Sequence, residues 1–267
     1  MECLAKQSDS RVFIRQRGSE QMPQTSDATE HGQDVANIDE LVNELRFIVP
    51  SDQEKRRILE LWKQTLVRRN SARDEGTFWQ FMKDFPVVSS FGGELISLEF
   101  ELLKSNACCF EDAWNIIEPK ILDQFRNVHR YIKNDVLKVL AVIREKNPSR
   151  GAKRTREESE ARKLNPLHGI IDWIDPELEI PTTEVPLIYI VEKFFEIGDC
   201  YLVWNDITIN VGKDILAAFI LLCKAFTVFN VKCCASDKLF YSFFYAFCFK
   251  LEPLSTTSNK FLDKLIG

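Results

Sequence analysis

The sequence predicts an α+β protein. An N-terminal all-helical domain is followed by a small αβ domain with a short antiparallel-type sheet packed by two helices. Three observations carry this reading. Apolar residues recur at three- and four-residue steps from Ile38 to Ile143, the period of amphipathic helices. Between Pro186 and Val211 the period drops to two, the mark of half-buried strands. From Ile215 to Leu251 it returns to 3.6, in the densest core-forming stretch of the chain.

Residues 1–35 are rich in Ser, Gln, Thr and Asp, with Pro23 and little apolar content. They read as a disordered tail, and Arg11, Arg15 and Arg17 as solvated charges. Ile38, Leu41, Val42, Leu45, Phe47 and Ile48 define an amphipathic helix that Pro50 stops. Ser51 and Glu54 have capping-box spacing. The helix they open turns Ile58, Leu61, Trp62 and Leu66 inward. Its other face carries Lys55, Arg56, Arg57, Lys63, Arg68 and Arg69.

Asp74 to Phe85 reads as a short helix ended by Pro86. Gly92-Gly93 reads as a turn, Glu94 to Leu103 as a helix, and Asn106 to Phe110 as a loop. A long helical pattern runs from Trp114 to Ile143, with Pro119 expected as the first residue of a fresh helix. Residues 36–146 therefore form the helical domain. Residues 147–164 are polar and read as a linker: Arg150, Lys153, Arg154 and Arg156 are followed by Glu157, Glu158 and Glu160.

The αβ domain spans 165–267. Ile170, Ile171, Trp173 and Ile174 are expected to pack on it. Leu187–Val191 is a strand, rich in β-branched and aromatic residues. Tyr201–Trp204 and Ile207–Val211 form a hairpin around Asn205-Asp206, residue types that tolerate positive φ. Gly212-Lys213-Asp214 opens a helix that is apolar nearly all round from Ile215 to Phe229, as a helix buried on several sides is. Its run of nine apolar residues before Lys224 is too short for a span, which needs roughly twenty. Asp237 is the N-cap of an aromatic helix with Leu239, Phe240, Phe243, Phe244, Phe247 and Leu251 on one stripe. Phe261, Leu262, Leu265 and Ile266 mark a last short helix.

The net charge of -5 over 267 residues points neither to wholesale nucleic-acid binding nor to an acidic tail. The N-terminus MECLAKQSDSR has no apolar core of a secretory signal, so reduced thiols are expected. The cysteines (Cys3, Cys108, Cys109, Cys200, Cys223, Cys233, Cys234 and Cys248) show no zinc spacing. Cys223 and Cys248 read as small buried hydrophobes. His129 reads as exposed on a helix and His168 as the start of a loop, neither with an orienting carboxylate. Asp199, Asp206 and Glu252 would serve a two-metal phosphoryl-transfer site, but read more simply as turn and helix-end residues. No catalytic, cofactor or metal site is expected, and no cofactor.

The order PLIYIV, CYLVWNDITINV, ILAAFILLCKAFTVFNV, LFYSFFYAF resembles the C-terminal region of an animal family labelled sterile alpha motif domain-containing protein 3-like. Leu216, Ala218, Phe219, Leu222, Lys224, Phe226, Val228, Phe229 and Asn230 match its characteristic helix. Arg68-Arg69, Phe85-Pro86, where Phe stands for the family's frequent Trp, and the Glu94 to Phe100 run are similar to its helical region. The resemblance covers roughly 40–265, without the sterile alpha motif, and implies no activity. It suggests by analogy a mobile-element origin.

The reading that follows is a non-enzymatic intracellular protein-interaction protein, cytoplasmic or nuclear, with an unknown protein partner and no membrane span. The alternative is a nuclear nucleic-acid-associated protein. It would use Arg150, Lys153, Arg154 and Arg156 as an import or phosphate-contact segment, and Arg56, Arg57, Arg68 and Arg69 as a basic surface.

Overall fold

The computed structural model describes residues 30–149 and 155–266, apart from the side chains of residues 30–36, 79 and 81. Arg150, Lys153 and Arg154, with the first 29 residues, lie outside them. Helix α1 (Glu30–Phe47) begins inside the stretch expected to be disordered. It is followed by α2 (Lys55–Gln64), α3 (Leu66–Asp74), α4 (Phe78–Lys83), α5 (Glu94–Leu103), α6 (Phe110–Gln124), α7 (Asp135–Lys146) and α8 (Arg156–Leu164). Ser51 accepts from the Glu54 amide at 3.3 Å, yet α2 starts only at Lys55, so the expected box closes a turn before the helix. Pro119 sits inside α6 instead of starting a new helix.

The joint between α2 and α3 has a local cause. The Thr65 hydroxyl donates to the Leu61 carbonyl at 2.8 Å, a back-bond that bends helices. The bend keeps Ile58, Trp62, Thr65, Arg69 and Ala72 on one buried stripe, with spacings of four, three, four and three. The linker is corrected too. Thr155 and Glu158 form a complete capping box, and α8 follows it.

The sheet has the order β1 (Ile171–Ile174), β2 (Leu187–Val191), β3 (Asp199–Trp204) and β4 (Ile207–Gly212). It is mixed rather than antiparallel. β1 runs parallel to β2, with Ile171 opposite Ile188, and the other pairings are antiparallel. Asn205 makes the β3–β4 turn at φ +49°, as its residue type allows.

Helix α9 (Ile215–Val228) lies on the sheet, capped by Asp214, whose carboxylate accepts from the Ala217 amide at 3.0 Å. Helix α5 also packs on α9. Gly93, at φ +85°, allows this approach: a Cβ there would stand 2.4 Å from Leu221 Cδ2. Helix α10 (Lys238–Phe247) and α11 (Thr256–Ile266) complete the fold.

The described residues from Ile38 onward form one compact unit, so the segments read as two domains share a core. Phe110, from the helical half, stacks on Phe244 at 5.7 Å and meets Phe219 and Phe249 edge-on or tilted. Each such ring, fully buried, stabilises by roughly 1.5–3 kcal/mol before ordering costs. Among the described residues no helix is long and apolar enough to cross a membrane.

Candidate functional site

The expected basic surface breaks up. Arg56 and Arg68 are exposed. Arg57 is exposed but held by the Glu44 carboxylate through two bonds, of 2.7 and 2.6 Å. That hydrogen bond raises its already high pKa and holds the Glu44 carboxyl below its usual range. Arg69 is fully buried and is no surface residue. Of the four basic linker residues Arg150, Lys153, Arg154 and Arg156, only Arg156 is among the described residues; it is exposed at the start of α8.

Arg69 instead belongs to an ion cluster around Glu99 of α5. The Glu99 carboxylate accepts from Trp62 Nε1 at 2.8 Å and Arg69 Nε at 2.8 Å, and pairs with Arg73 on its other oxygen. Arg69 also lies 4.2 Å over the Trp62 ring and donates to the Thr65 hydroxyl at 2.7 Å. Burial pulls its pKa down, against the attraction of Glu99. The cluster ties α2, α3 and α5 together, with every member aimed inward. Its spacing along the stripe was the available signal, but charged residues are rarely fully buried.

A second cluster centres on Asp237. Arg144 donates to it from Nε at 2.8 Å, and Arg162 from Nη2 at 2.8 Å. Arg144 also donates to the carbonyls of Pro166 and His168, at 2.7 and 3.0 Å. Asp237 does precede α10 as expected, but its side chain makes no capping bond, because the arginines occupy it. No buried residue anchors α8, so Arg162 is its main tether.

Both histidines depart from expectation. His129 lies in the turn after α6 at φ +49°, with Nε2 3.4 Å from the Glu145 carboxylate. Burial holds its pKa below the usual imidazole value, and Glu145 only partly offsets this. His168 Nδ1 is 2.8 Å from Asp172.

Asp199 opens β3 and Asp206 lies in the turn past its other end, with on the order of 17 Å of strand between, and they cannot share one metal pair. Asp206 pairs with Lys83 at 2.9 Å. Glu252 accepts from the Ser242 hydroxyl at 2.5 Å. No metal-binding group of three His, Cys, Asp or Glu occurs among the described residues. Cys200, Cys223 and Cys248 are buried. Burial pushes the Cys200 thiol up to about 12, and those of Cys223 and Cys248 upward too, so these are poor nucleophiles.

What sequence reasoning missed is an exposed aromatic surface. Beyond β2 the chain turns through Phe194 and Phe195, the latter at φ +62°, a costly conformation for a bulky residue. Their ring centroids are 4.1 Å apart, and both rings meet Trp173 of β1 edge-on, at 5.3 and 5.1 Å. Trp173 Nε1 donates to the Glu196 carbonyl at 3.0 Å, which fixes the loop to the edge strand. Tyr131, from the turn after α6, adds a fourth ring 5.4 Å from Phe195. Phe194 and Tyr131 are 52% and 51% exposed, and Ile197 beside them is exposed as well. The signal was two adjacent phenylalanines between charged residues, just past a strand end.

No family model matches the chain, and no curated protein or solved structure does.

Proposed function

We propose that this chain is a non-enzymatic intracellular protein-interaction protein, cytoplasmic or nuclear, and that it holds a protein partner through the aromatic surface. The observation that supports this is the group of Tyr131, Trp173, Phe194 and Phe195, fixed in place while two of its rings stand half exposed. Large aromatic anchors dominate the energetics of protein interfaces, and fixed rings lose little freedom on binding. The test is capture from nuclease-treated cell extract with the full chain and with its Tyr131→Ala/Phe194→Ala variant. Proteins retained by the first and lost by the second support the reading. Identical sets from both would refute it.

The nuclear nucleic-acid reading, with its suggested mobile-element origin, keeps one observation. Arg56 and Arg68 are exposed and carry no ion pair among the described residues. It requires affinity that falls steeply with salt and weakens in Arg56→Gln/Arg68→Gln. Salt-independent binding, or none, removes it.

A further inference from the structure

A cavity of about 800 Å³ opens where the end of α9, the loop after it and α10 meet. That is within the size range of small-molecule sites, roughly 300–1,000 Å³. It shares no residue with the aromatic surface. Three rings line it: Phe226, Tyr241 and Tyr245. The Tyr245 hydroxyl is already engaged, donating to the Cys223 carbonyl at 2.5 Å. The Tyr241 hydroxyl is not. Tyr241 is only 3% exposed, yet its hydroxyl has no hydrogen-bond partner among the described residues. Buried tyrosines ordinarily find one; this hydroxyl is not one of the fully buried unpartnered polar atoms, and its residue lines the cavity.

The charges around the opening are predominantly positive. Lys104, Lys232 and Lys238 line it, all exposed and none ion-paired among the described residues. The one carboxylate in the lining, Glu252, keeps its charge while accepting from the Ser242 hydroxyl, so the lining carries three cations to one anion. An apolar chamber ringed by free ammonium groups, with one unspent phenol donor inside, complements a particular ligand. We infer that the cavity binds a small organic anion with an aromatic or aliphatic body. The body packs on Phe226 and Tyr245, and the acid group sits among the three lysines. The Tyr241 hydroxyl donates to an oxygen of the ligand.

The probe is 8-anilinonaphthalene-1-sulfonate, with the uncharged N-phenyl-1-naphthylamine as its neutral counterpart, titrated into the full chain by fluorescence. The sulfonate should bind saturably at one site. The variant Lys104→Gln/Lys232→Gln/Lys238→Gln should weaken it about tenfold, the sum of three modest charge contacts, and leave the neutral dye unaffected. Tyr241→Phe should weaken it about fivefold, one lost hydrogen bond. Phe194→Ala should change nothing. The lysines are exposed and unpaired, so the triple variant keeps the fold, which near-ultraviolet circular dichroism checks. The inference is overturned if the neutral dye binds as tightly as the sulfonate or the lysine variant keeps full affinity. It is equally overturned if Tyr241→Phe is silent or the signal is lost with Phe194→Ala.

Discussion

Glu99→Gln is nearly isosteric and removes a single charge from the core. In the native protein that carboxylate accepts from Trp62 Nε1, Arg69 Nε and Arg73 Nη2, with Arg69 Nη2 2.7 Å away as an ion-pair contact. Its loss leaves Arg69, fully buried, without a counter-charge. Arg73 is 12% exposed and can swing toward water, so its share is partly recovered. Summing charged hydrogen bonds at about 1.5–3 kcal/mol each would overshoot. Breaking one partner out of a buried ion pair costs about 3–5 kcal/mol, and that range is expected here. With a urea dependence of about 2–3 kcal/mol per molar, the midpoint should fall by about 1–2 M. Against a total stability of roughly 5–15 kcal/mol, such a loss is large. Circular dichroism of urea series reads it. The double variant Glu99→Leu/Arg69→Met should be more stable than Glu99→Gln, since both charges leave together. A loss below about 1 kcal/mol for Glu99→Gln, or a double variant worse than either single change, would refute the reasoning.

Gly93→Ala should lower the melting temperature. The added methyl meets Leu221 at 2.4 Å, and φ +85° disfavours any side chain, a cost of about 1–3 kcal/mol that Leu221→Ala in the same chain should partly relieve. Asp237→Asn should speed amide exchange across α8 before α7 changes, because Arg162 loses its partner while the buried apolar face of α7 stays packed. Acidification should destabilise the chain through His129. Its folded pKa is lowered, so its contribution is full above the unfolded value of about 6.5 and declines as pH falls below it, because the unfolded state takes up the proton first. His129→Asn should flatten the stability-versus-pH slope just below pH 6.5, and an unchanged slope would discount the histidine.

Legibility followed the strength of the local pattern. Helices α9 and α10 could be read because an Asp precedes each and an apolar period follows. In α10 the position was right and the mechanism wrong: Asp237 serves Arg144 and Arg162, contacts 93 and 75 residues away in sequence. Strand β1 is four residues long with an Asp in it, too short to show a period. Helix α8 has no buried residue, so apolar periodicity could not reveal it; its Thr155–Glu158 box was the overlooked cue. The shared core was hidden because a polar stretch at 147–164 looks like a boundary. Yet Phe110 reaches across it to α10, and Arg144 to Asp237 just before that helix. Arg69 was misplaced because composition argues for exposure, while its helical register places it inside.

The most direct measurement is hydroxyl-radical footprinting of the aromatic surface, with the chain free and then in complex with captured partner protein. Tyr131 and Phe194 start half exposed and should react readily in the free chain. Strong protection of both in the complex, with Leu178, 64% exposed and outside the cluster, still reactive, is the expected result. Equal reactivity of Tyr131 and Phe194 in both states would contradict an interaction surface at this site.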